Sequence, residues 1–183
     1  MLQNKEIIRQ VGHIYEWLDE QLNANNVKAG VCGICGKCCD FESYDHRLYV
    51  TTPEMIYFAD KLTGSDVIAS AAKQSHTERS AEPVSETLTK NKMPTGRCPY
   101  QVNGKCTVYP YRFAACRIFC CKADADFQSD LTETAVKKFK MLCEKFQIPY
   151  RYVDLPTALK SVVTAEHARL GEASRSRAEK NTK

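Results

Sequence analysis

The sequence predicts a mainly α protein: a small, single-domain helical fold with irregular cysteine-rich loops and at most short strands. Three observations predict it. Apolar residues recur at helical spacing near both ends of the chain. Two stretches between them are rich in Gly and Cys and follow neither a helical nor a strand period. Only two brief runs, 46–51 and 150–155, have strand character. A chain of 183 residues suits one domain with a real core.

Residues 2–22 place Ile7, Ile8, Val11, Ile14, Tyr15, Leu18 and Leu22 on one face, with Glu6, Arg9, Gln10, Glu16 and Asp19 between them. The first segment, 1–29, is therefore an amphipathic helix that packs on its own domain or meets a protein partner, and it ends near the turn-forming residues 23–26. Thr52 is the expected N-cap of a second helix, with Pro53 at its first position and Met55, Ile56, Phe58, Ala59 and Leu62 on its apolar face. Residues 65–81 read as a polar helix and 82–95 as an exposed loop. A helix over 130–146 carries Leu131, Ala135, Val136, Phe139, Leu142, Cys143 and Phe146 inward, and another begins at Pro156 with Leu159, Val162, Val163 and His167. The chain thus divides into the helix 1–29, a cysteine-rich core 30–121, helices 122–170 packing on that core, and a disordered tail 171–183.

Composition excludes several classes. The formal net charge is only +4, and the tail basic residues Arg175, Arg177, Lys180 and Lys183 read as solvated charge; with no aromatic-basic stripe, nucleic acid is not an expected partner. No run approaches the roughly 18 apolar residues of a membrane span, and the first residues lack the pattern of an export signal. The expected location is cytoplasmic, where ten cysteines point to metal or redox chemistry rather than to disulfides.

Cys32, Cys35, Cys38 and Cys39 stand within eight residues. A two-residue spacing lets successive thiolates wrap one centre, and Gly33 and Gly36 offer positive φ to the loop. Farther on, Cys98 and Cys106 flank Asn103-Gly104, a turn signal that folds the two thiols toward each other, and Cys116 follows. These three are the natural remote ligands for the first loop, so the two loops are expected to be organised around a metal site.

CxxCxxCC at 32–39, GxC at 104–106, YPxR at 109–112 and CR at 116–117 together resemble the YkgJ-type CxxCxxCC family of zinc- or iron-chelating domains. The resemblance covers roughly residues 30–121 and implies the ligand set Cys32, Cys35, Cys38, Cys39, Cys98, Cys106 and Cys116. Flagellin lysine methylases are longer relatives in which this type of motif is linked to an iron–sulfur cluster; their methyl transfer does not carry over. One departure is Arg112-Phe113, where the family usually has Arg-Pro.

Structural zinc usually takes two CxxC pairs, and the second region has none. C-x₂-C-x₂-C with a remote Cys-Pro, here Cys98-Pro99, is closer to a ferredoxin run, so a 4Fe-4S cluster is the favoured cofactor, with zinc the alternative. Arg112 and Arg117 flank Cys116 and are expected either to offset thiolate charge or to pair with surface carboxylates. His46 is a further candidate ligand. Cys120 and Cys121 read as spare ligands, a redox pair or buried small side chains, whereas Cys143 belongs to a helix core. Phosphate-binding, zinc-protease and serine-hydrolase motifs are absent. The functional expectation is a metal-binding protein in redox, sensing or metal-related work; the alternatives are a structural zinc module for protein interaction and a small enzyme acting through its metal or thiols.

Overall fold

The computed structural model describes residues 2–33, 35–44, 47–63 and 96–160. The expected helix 65–81, loop 82–95 and tail 171–183, together with His46, lie outside the described residues. Helices dominate: α1 (Leu2–Ala24), α2 (Asn26–Ala29), α3 (Thr52–Thr63), α4 (Ala114–Ile118), α5 (Ala125–Phe146) and the start of α6, over 155–160. The strands β1 (Tyr49–Thr51), β2 (Gln101–Val102), β3 (Lys105–Cys106) and β4 (Tyr152–Asp154) are all short.

Local chemistry sets most boundaries. Asp124 caps α5 by accepting the Phe127 N–H at 2.8 Å, so the helix starts before residue 130, where its apolar period first becomes visible. Gln147, in the left-handed region at φ 53, closes it with its N–H on the Cys143 and Glu144 carbonyls. Asp154 accepts the Thr157 N–H at 3.1 Å and starts α6. The strands β1 and β4 pair antiparallel with Val50 opposite Val153, and Tyr49 stacks on Tyr152 with centroids 5.1 Å apart.

The expected cap of α3 is corrected by one residue. Thr51, not Thr52, faces the helix: its N–H and Oγ1 both donate to Glu54 Oε2, at 2.9 and 2.8 Å. The Thr52 hydroxyl is engaged elsewhere, accepting the Arg151 N–H beside β4.

Two apolar cores share α3 and α4 as a common wall. One joins Ile7, Val11, Tyr15 and Leu18 of α1 to Ala114 and Ile118 of α4 and to Leu131, Ala135, Phe139 and Leu142 of α5. The apolar face of α1 is thus covered by its own domain. The other core gathers Leu48, Val50, Phe58, Tyr100, Val108, Phe113, Leu155 and Leu159, and Cys98, Cys106 and Cys116 pack against it. Ile56 and Tyr57 of α3 turn to the first core, Met55, Phe58 and Leu62 to the second.

Glu54 sits where these layers meet, only 2% exposed. Besides Thr51, it accepts the Tyr15 hydroxyl at 3.2 Å and the Ala114 N–H at 2.8 Å. Burial raises its carboxyl pKa, while the bonds from Ala114, Thr51 and Tyr15 oppose the rise. One side chain thereby ties α1, the start of α3 and the first turn of α4 together. Glu54→Ala strands several buried donors at once and is expected to lower stability by about 3–5 kcal/mol. Urea unfolding of the purified variant measures this; a loss below about 1 kcal/mol would contradict the role.

Candidate functional site

Nine of the ten cysteines lie within 32–39 and 98–121; the second stretch, expected to be irregular, contains the β2–β3 hairpin and α4, and no disulfide joins any of the ten. The first loop is fastened at both ends, each time through backbone atoms. At its far end the Cys98 N–H donates to the Cys39 carbonyl at 2.8 Å, and the Phe41 N–H donates to the Gly96 carbonyl at 2.7 Å. Asp40 and Arg97 form a bridge in this antiparallel contact and pair their side chains at 2.9 Å. Arg97 and the Ser43 N–H hold the Asp40 carboxyl below its usual pKa range. Gly96, at φ 91, meets Glu42 so closely that a side chain has no room there. The loop reverses through Gly36, at φ 71, into a 3₁₀ turn over Lys37–Cys39; Gly33 does not use positive φ.

Cys98 then leads into the β2–β3 hairpin, which turns through Asn103 and Gly104, both at positive φ as a tight hairpin turn requires. The hairpin returns Cys106, paired with Gln101 across the strands, toward Cys98. The turn that Asn103-Gly104 predicts is the one observed. Cys116 enters from α4, whose first N–H is held by Glu54. Phe113 precedes α4 in a conformation that proline would also adopt. Its φ of −63 is the value proline would impose, and its ring packs on Phe58 at 4.7 Å between centroids.

Electrostatics show which thiols share an environment. The Cys39 thiol donates a hydrogen bond to Cys38, which lowers the Cys38 pKa and raises that of Cys39. Cys39 also feels Cys98 and Cys116, and Cys98 feels Cys106 and Cys38. Burial pushes Cys98 up to about 12 and raises Cys106 and Cys116 as well. Cys38, Cys39, Cys98, Cys106 and Cys116 therefore form one interacting group drawn from three chain segments.

The two arginines divide. Arg112 stacks on Tyr109 at 3.6 Å, donates to the Tyr109 and Cys116 carbonyls, and its charge favours the thiolate forms of Cys38, Cys106 and Cys116. Arg117 turns toward α1. It pairs with Asp19 at 2.8 Å, donates to the Arg112 and Pro110 carbonyls, and lies 4.4 Å from the centre of the Tyr15 ring. Its role is to hold α1 against α4.

Cys32 and Cys35 are exposed. They line a cavity of about 260 Å³ with Cys38, Cys120 and Cys121, walled by Tyr44 and Phe119. Cys120 and Cys121 are thus part of the cysteine region rather than a remote pair, while Cys143 is buried on α5, as its helical position predicts. Among the described residues, no group of three or more His, Cys, Asp or Glu side chains is already arranged to hold a metal ion. The thiols adjoin one another without pointing at a common centre.

Sequence reading missed Glu54, although Thr51-x-x-Glu54 is a capping-box pattern one residue ahead of the cap it favoured. With every thiol reduced, alkylation of the native protein is expected to modify Cys32, Cys35 and Cys121 first and Cys120 and Cys143 last. Peptide mass spectrometry after short exposures reads the order, and rapid labelling of Cys143 in folded protein would contradict it.

No protein-family model, curated protein or solved structure matches this chain.

Proposed function

We propose that this protein is a thiolate metal-binding protein whose half-buried cysteines hold an iron–sulfur cluster, and that it works in redox, sensing or metal-related chemistry. The observation that carries this reading is the backbone pairing of Cys39 with Cys98, which sets the Cys-Cys end of the first loop against the hairpin and α4. Five soft donors then share one neighbourhood: Cys38, Cys39, Cys98, Cys106 and Cys116. Thiolate donors of this kind suit iron–sulfur clusters and zinc and suit magnesium or calcium poorly.

The surroundings fit such a group. Phe41, Val108, Phe113 and Phe119 belong to the same apolar core as Cys98, Cys106 and Cys116 and limit water there. Arg112 brings positive charge to the thiols, and its guanidinium is oriented by two backbone carbonyls. An iron–sulfur cluster would supply one-electron redox chemistry, with Arg112 and burial as the protein's levers on its potential. Because the thiols do not yet converge on one point, coordination draws them in from these positions.

Anaerobic purification followed by iron and sulfide analysis, with absorption at about 400 nm, tests the reading. Brown protein with matching iron and sulfide is expected, and Cys98→Ser and Cys116→Ser are expected to lose both while Cys143→Ser keeps them. Colourless protein with stoichiometric zinc would replace the cluster by the structural zinc alternative, and metal-free protein would overturn both.

The two arginines give an independent check. Arg112→Gln is expected to weaken metal retention about 10–100-fold against a competing chelator. Arg117→Gln is expected to lower the unfolding midpoint with little change in retention. Equal effects of the two on retention would contradict the division.

A further inference from the structure

The first loop does not deliver all its cysteines to one place. Its start is fastened independently of its end. The Asp124 N–H donates to the Lys28 carbonyl at 2.8 Å, and Gly30, at φ 67, lies so close to residue 122 that a Cβ would sit 2.9 Å from the Lys122 carbonyl carbon and oxygen. Backbone on both sides leaves that contact no room to yield. The loop therefore begins, at Gly30, beside 120–123, whereas Cys39 is fastened to Cys98.

The segment 120–123 is itself well held. The Cys120 N–H donates to Gln128 Oε1 at 2.9 Å, and the Ala123 N–H closes a turn on the Cys120 carbonyl at 3.0 Å. The vicinal cysteines are thus presented from a fixed turn to the cavity that Cys32 and Cys35 line. Lys37 also lines it, over the Tyr44 ring at 5.4 Å, and brings positive charge to a group of thiolates.

We infer that Cys32, Cys35, Cys120 and Cys121 form a second thiolate site, open to solvent, that takes a soft thiophilic metal cation separately from the buried group. Four thiolates from a CxxC and a vicinal pair match the donor count and softness that a d¹⁰ ion favours. Cys38 borders both groups, since it lines the cavity and bonds with Cys39. Cys32, Cys35 and Cys121 are exposed whereas the thiols of the other group are only partly so, and the cation at this site therefore exchanges the faster of the two. The inference stands beside the proposed function and does not require the buried group to hold iron.

Cadmium titration of the reduced full-length protein, kept anaerobic with whatever metal it retains from purification, tests it through the ultraviolet thiolate-to-cadmium charge-transfer band. The Cys32→Ser/Cys35→Ser variant, altered only at exposed positions, is expected to bind one cadmium equivalent fewer than the parent and to keep its purified metal content. Cys120→Ser/Cys121→Ser is expected to lose the same equivalent. Because Cys120 is buried, circular dichroism checks that this variant folds, and the first variant carries the test if it does not. Unchanged cadmium stoichiometry in Cys32→Ser/Cys35→Ser would overturn the second site. Loss of the purified metal in that variant would also overturn it, because all the thiols would then serve one centre. Failure of the buried site reads differently, as purified protein without metal whose cadmium stoichiometry still falls by one in Cys32→Ser/Cys35→Ser.

Discussion

A single buried carboxylate organises the layers on which the cysteines depend. Glu54 receives the Thr51 N–H and hydroxyl, the Tyr15 hydroxyl and the first N–H of α4. A carboxylate with little exposure is costly unless its lone pairs are matched, and here donors from three elements match them. The arrangement is therefore demanding. It fixes where α4 begins, and α4 carries Cys116 on the side facing the hairpin while Ala114 and Ile118 join the other core. Displacing α4 by one residue would rotate Cys116 by about 100° away from the other thiols.

Arg117 reinforces the same joint. Its guanidinium links Asp19 of α1 to the carbonyls of the turn before α4 and lies over the ring of Tyr15, whose hydroxyl reaches Glu54. Arg112, five residues earlier, serves the thiols instead. Two arginines five residues apart, one before α4 and one on it, thus face different environments, and the environment decides between structure and site.

The same logic applies to the cysteine run. Its length lets one end reach Cys98 while the other lies beside residue 122, because each end is fastened by its own backbone contacts. Eight residues that look like one motif therefore span two neighbourhoods, one enclosed by the second apolar core and one lining an open cavity. Burial separates the chemistry as well. The enclosed thiols are driven toward their protonated forms except where Cys39 and Arg112 favour the Cys38 thiolate.

Much of this was legible from local patterns. The α1 face, the Asn103-Gly104 reversal and the core position of Cys143 follow from periodicity and turn stereochemistry, which act over a few residues. The start of α5 was less visible, because a cap residue, not an apolar period, defines it. The sequence by itself determined that the chain is mostly helical and that nine cysteines cluster in two stretches; the second was expected to be irregular, yet it holds the β2–β3 hairpin with Cys106 and helix α4 with Cys116. Only the tertiary structure decided which of those cysteines are neighbours, which arginine attends them, and that Glu54 holds the frame together. Those choices depend on backbone contacts and hydrogen bonds between residues 39 to 99 positions apart, and such pairings leave no periodic trace in a single chain.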